Sequence, residues 1–126
     1  MSAMLALQNP SDAYRKVDLD ARVGASEPRQ LVALCYERLD EALSSALYAH
    51  GTGDLAARSR AVTGALSAVT ALLLGIDGES GVAAALRQFY GAARQGLLDN
   101  ALAFDDQAII RMRQDFADIA QATTAS

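Results

Sequence analysis

The chain has 126 residues, among them 27 alanines, 17 leucines, nine glycines and two prolines, with a net charge of −4 and an isoelectric point near 4.8. That balance excludes a collagen-like repeat, a disordered chain and, with Cys35 as the single cysteine, a disulfide scaffold. The eleven cationic residues form no run, so sequence-blind nucleic-acid binding, which relies on many phosphate contacts, is not expected. A chain of this size buries roughly two thirds of its unfolded surface. Alanine carries little area, however, so the 52% hydrophobic fraction overstates the core.

Residues 1–25 read as an N-terminal arm. Asn9-Pro10-Ser11-Asp12 starts a short helical turn reaching Tyr14, and residues 18–25 look irregular around Gly24. Leu5, Leu7, Tyr14 and Val17 are too apolar for a solvated tail. The arm therefore either docks permanently as a fifth element or lies over a groove and is displaced when a partner arrives. Met1–Leu7 lacks a basic region and is too short for a signal peptide, so a cytoplasmic location is expected.

Ser26-Glu27-Pro28 supplies a cap and an early-helix proline, predicting a first helix over Pro28–Ala49. Its apolar arc holds Leu31, Val32, Cys35, Tyr36, Leu39, Leu43, Ala46 and Leu47, with Glu37, Asp40 and Glu41 opposite. The break at His50-Gly51-Thr52-Gly53-Asp54 leads into a second helix to Leu74, with Leu55, Val62, Leu66, Val69 and Leu73 as its core stripe. The uncharged run Ala61–Ile76 is shorter than a membrane span and contains Thr63, Gly64, Ser67 and Thr70, so no membrane insertion is expected. Gly75–Gly81 forms the second break. The third helix, Val82–Leu102, carries Val82, Leu86, Phe89, Tyr90, Ala93 and Leu97 on one stripe. Asp105 caps a fourth helix to Gln121, with Phe104 stapled to Ile109 and Ile109, Met112, Phe116 and Ile119 inward. The expected fold is all-α: an antiparallel up-down-up-down four-helix bundle over residues 26–122, preceded by the arm and followed by a frayed tail at 123–126.

Signals for chemistry are sparse. His50, the single histidine, sits where a cation suits a helix C-terminus and reads as a capping residue. Cys35 lies within the apolar arc of helix one, a setting that does not activate a thiol. No Cys/His cluster has zinc spacing and no Glu-x-x-His pair suits a di-iron bundle. Gly78-Glu79-Ser80-Gly81 lacks the lysine ending and preceding strand of a phosphate loop. No catalytic residue, metal site or cofactor is expected.

The surfaces are more informative. Off the core stripe, helix two carries Ala57, Ala61, Gly64, Ala68, Ala71 and Leu72, and helix three carries Ala84, Gly91 and Leu98. Small residues let another helix approach closely. Gly64 and Gly91 each cost about 1 kcal/mol against alanine in a helix interior, which calls for a packing reason. That reason is either a neighbouring helix of the bundle itself or a guest helix. A regulatory helical bundle that binds a folded protein or a small ligand is the alternative on these residues.

Several pieces resemble the flagellin-export chaperones of the FliS type. They are Ala13-Tyr14-Arg15-Lys16-Val17 in the arm, Ala25-Ser26-Glu27-Pro28 opening helix one, and Leu34-Cys35-Tyr36-Glu37 within it. Gly53-Asp54, Ile76-Asp77-Gly78-Glu79-Ser80-Gly81, Phe89-Tyr90 and Leu97-Leu98-Asp99-Asn100 follow in the family's order, so the resemblance spans about residues 13–120. Where the family usually has a tryptophan near the end of helix four, this chain has Phe116. The resemblance implies a cytoplasmic chaperone that binds the disordered C-terminal segment of flagellin, blocks its premature polymerisation and delivers it to export-gate components. On that reading Ala61, Gly64, Ala68, Ala71, Leu72, Gly91 and Leu98 are the expected contacts, and Tyr14 and Val17 belong to the displaceable arm.

Overall fold

Four helices follow one another in a computed structural model of the chain: α1 Pro28–Thr52, α2 Leu55–Leu74, α3 Gly81–Leu102 and α4 Asp106–Ala125. Residues 28–125 are described, with their side chains from 29 to 122. The chain divides into two compact units, residues 1–32 and 33–126, and the packing below concerns the second. The arm, including Tyr14 and Val17, lies outside the described residues. Among the described residues no strand occurs, and no helix is long and apolar enough to cross a membrane.

Each helix after the first starts on a side-chain cap. Asp54 Oδ1 accepts from the Ala57 amide at 3.0 Å, Ser80 Oγ from Ala83 at 3.1 Å, and Asp105 Oδ1 from Gln107 at 3.1 Å and Ala108 at 3.3 Å. These groups satisfy amides that have no partner inside the helix. The two glycine-rich breaks place Gly53 (φ 74°) and Gly78 (φ 82°) in the left-handed region that other residues rarely adopt. The α3–α4 turn is held differently. Asn100 is buried, donates to the Gly96 carbonyl at 2.9 Å and accepts from the Asp105 amide at 2.7 Å. One side chain thus satisfies a carbonyl within α3 and the backbone of the cap residue of α4.

Contacts between helices fix their direction. A Cβ built on Gly64 stands 3.8 Å from Ala42 Cβ, while Ala49 and Ala57 line a common cavity nearer the turn, so α1 and α2 run antiparallel. Tyr36 meets Phe116 and Asp40 meets Arg113, which sets α4 antiparallel to α1. Tyr36 meets Tyr90 and His50 meets Phe104, which sets α3 parallel to α1. The result is the expected up-down-up-down order.

Leu39, Leu43, Val69, Leu97 and Ile109 form the fully buried centre. Above it lies an aromatic layer. Tyr36 makes edge contacts with Tyr90 and Phe116, Phe89 packs 4.7 Å from Phe116, and Tyr90 lies parallel to Phe116 at 6.0 Å. This layer joins α1, α3 and α4. The Tyr36 and Tyr90 hydroxyls lie 2.9 Å apart and hydrogen-bond to each other. Burial pushes both phenols above the usual tyrosine range, and the bond to Tyr90 pushes Tyr36 further. Cys35 packs half-buried beside them and its thiol is likewise raised, by burial first, with Arg38 acting against it.

One of the expected local contacts takes another form. His50 is not the group that caps α1: Thr52 Oγ1 bonds the Ala49 carbonyl at 3.2 Å, and His50 Nδ1 accepts from Arg58 at 3.1 Å. Phe104 turns toward this pair, 4.7 Å from the His50 ring and 4.8 Å from the Arg58 guanidinium, a cation–π contact across one end of the bundle.

The tyrosine pair yields the first prediction. Tyr36→Phe strands the hydroxyl of buried Tyr90 and should cost about 1–2 kcal/mol in urea unfolding, as should Tyr90→Phe. The double variant should cost clearly less than the sum of the two. Because both native phenols titrate above their unfolded values, their stability contribution is intact below about pH 10 and is lost as the pH climbs through the native values. Wild-type stability should therefore fall above pH 10 more steeply than that of the double variant.

Candidate functional site

The seam of the α1–α2 hairpin is built from small residues. Ala42, Ser45 and Ala49 stand on successive turns of one side of α1, and Ala57, Ala61 and Gly64 on successive turns of one side of α2. The pairings of Ala42 with Gly64 and Ala49 with Ala57 put Ser45 opposite Ala61. At the turn lies an open cavity of about 450 Å3 lined by Ser44, Ser45, Tyr48, Ala49, Thr52, Asp54 and Ala57. Tyr48 is 76% exposed there.

The expected contact residues divide into three groups. Ala61 and Gly64 lie along the seam, half-buried and exposed respectively. Ala71 is exposed on α2, while Gly91 and Leu98 are half-buried, two turns apart on one side of α3, with open space above Gly91. Ala68 and Leu72 do not belong on a flank: at 8% and 4% exposure they are part of the core. The core face of α2 is Val62, Ala65, Ala68, Val69 and Leu72, and Leu55, expected inward, is exposed. The difference is a rotation of the helix. With no charge between Ala61 and Ile76, the apolar pattern does not select a face, and the close approach of neighbouring helices favours alanine inside. Val82 shows the same effect on α3, exposed while Ala83 next to it is buried.

At Gly64 a Cβ would stand 3.8 Å from Ala42, an ordinary contact, so packing against α1 does not require glycine, and the position is solvent-exposed. Asn100 and Tyr48 were not singled out as positions of consequence by pattern. Asn100 could have been, since a polar residue one turn beyond Ala93 and Leu97 on the inward stripe of α3 requires partners. Tyr48 carried the signal of a large aromatic outside the apolar arc of α1.

Ionisable groups do not converge here. Among the described residues no three His, Cys, Asp or Glu side chains are grouped to hold a metal ion. The strongest surface ion pair, Arg113 with Asp40, is bidentate at 2.7 and 3.3 Å and about half exposed, a register contact between α1 and α4 worth under about 1 kcal/mol.

A family profile described as flagellar protein FliS matches residues 10–123, nearly the whole chain. The chain belongs to the FliS family. A flagellar secretion chaperone FliS from Salmonella typhimurium is 29% identical over 113 residues, covering 87% of this chain and 84% of that protein. No solved structure gives a significant match. The FliS match extends across all four helices and across the residues of the α1–α2 seam.

The division of α2 into an inner and an outer side can be checked directly. Ala68→Glu and Leu72→Glu each force an unpaired carboxylate into the core and should cost several kcal/mol, unfolding the bundle at room temperature or lowering its melting point sharply. Ala71→Glu and Gly64→Glu should leave the circular-dichroism spectrum and melting point nearly unchanged.

Proposed function

We propose that this chain is a cytoplasmic flagellar export chaperone that holds the C-terminal segment of flagellin before assembly. Membership in the FliS family and the secretion-chaperone role of the Salmonella relative support the reading. The observation that carries it in this chain is the α1–α2 seam, whose small residues and open cavity at the turn suit a guest helix. The guest, disordered alone, orders as it docks. That ordering costs free energy, so affinity has to come from apolar area spread over a long surface. Such binding is reversible, as release at export-gate components requires.

Contacts are assigned to Ala61 and Gly64 on the seam and to Ala71, Gly91 and Leu98 on the remaining accessible faces. Ala68 and Leu72 act from beneath, by setting the position of α2. A guest lying along Gly64 approaches the backbone closely, which any longer side chain prevents.

Isothermal titration of the full chain with the flagellin C-terminal segment of its own organism tests the proposal. A stoichiometric complex with a negative heat-capacity change is expected. Gly64→Glu should weaken binding at least tenfold with no loss of thermal stability. Absence of binding by the wild-type chain would overturn the reading.

A further inference from the structure

The cavity at the α1–α2 turn has a chemistry the seam lacks. Its wall is the exposed ring of Tyr48, its rim carries the hydroxyls of Ser44, Ser45 and Thr52, and its charge is the carboxylate of Asp54. No cationic side chain lines it. The nearest in sequence, Arg58, is drawn off by His50 Nδ1 and the Phe104 ring. Asp54 spends Oδ1 on the α2 cap, and among the described residues no donor meets Oδ2. α1 ends at Thr52, where its C-terminus favours a cation, and the positive N-terminus of α2 at the same turn is met by the Asp54 cap. A ring face, a half-used carboxylate and several hydroxyl acceptors together match a guanidinium or ammonium group.

We infer that this cavity is the anchor for a basic side chain, arginine or lysine, carried by the guest segment and held between the Tyr48 ring and the Asp54 carboxylate. The inference rests on the proposed chaperone role, which it deepens by naming what the guest must present. Apolar contacts along Ala57, Ala61 and Gly64 supply area with little preference for register, because small residues offer few distinct pockets. One charge seated at the turn fixes where the guest helix begins on the seam.

Two measurements on the full chain separate this inference from the reading beneath it. In the first, amide chemical shifts are followed while N-acetyl-arginine amide is added, then its neutral citrulline counterpart. Saturable shifts at Tyr48, Thr52 and Asp54 with the arginine probe, at least fivefold weaker with citrulline, are expected. Asp54→Asn retains a capping side chain, so α2 stays intact while the charge is removed, and the shifts should vanish. Equal response to both probes, or none, overturns the anchor. In the second, the flagellin segment is titrated against Asp54→Asn and Tyr48→Ala, each expected to weaken binding about five- to tenfold. Binding of the segment at wild-type strength to both variants overturns the anchor and leaves the chaperone role standing. Arginine binding without segment binding supports the anchor and removes the chaperone role.

Discussion

The bundle depends on how an alanine-rich chain finds enough area to hold four helices together. Most of its apolar side chains contribute little, so the load falls on a few large ones. The aromatic layer of Tyr36, Phe89, Tyr90 and Phe116 is the principal case, because it ties α1, α3 and α4 at one level. Its single internal hydrogen bond, between the phenols of Tyr36 and Tyr90, removes the cost of burying two hydroxyls and fixes how α1 lies against α3. Below it, Leu39, Leu43, Leu97 and Ile109 fill the centre. The second helix brings Val69 and Leu72 into the same core and stands near α1 at Gly64 and Ala42.

Large rings fill the space between α1, α3 and α4, whereas the α1–α2 seam carries short side chains at Ala42, Ser45, Ala61 and Gly64 and ends in the cavity at its turn. That contrast decides where the molecule has surface to offer. The proposed guest-binding surface is thus a by-product of the way α2 is attached. The turn that closes the α1–α2 hairpin then adds Tyr48 and Asp54, the one place on this face where an aromatic ring and a free carboxylate oxygen meet.

Much of the fold was legible before any coordinates. Pro28, Gly53-Asp54, Gly75–Gly81 and Asp105 stand at the helix ends, with Gly53 and Gly78 in the left-handed region, while α1 runs past its expected end at Ala49 to Thr52. Most of the inward stripes of α1, α3 and α4 was legible too, since charged residues occupy their opposite faces, but Val32 and Val82, expected inward near the helix starts, are exposed. The facing of α2 was not: it has apolar residues on every side across Ala61–Ile76, so Ala68 and Leu72 were expected on a flank and lie in the core. The site was legible only in part for the same reason. Ala61 and Gly64 stand on the seam, but its end at Tyr48 and Asp54 requires two helices in register, which no single-helix pattern contains. His50 and Phe104 show the same limit, each meeting a partner from a distant segment.

The placement of a guest along α1 and α2 is the central claim, and site-specific photocrosslinking tests it most directly. A benzophenone amino acid at Ser45, on the seam, and at Gln114, on the exposed side of α4, would be incorporated separately and irradiated with the flagellin C-terminal segment. The account predicts a crosslinked product from Ser45 and little from Gln114. Efficient crosslinking from Gln114 with none from Ser45 would contradict it.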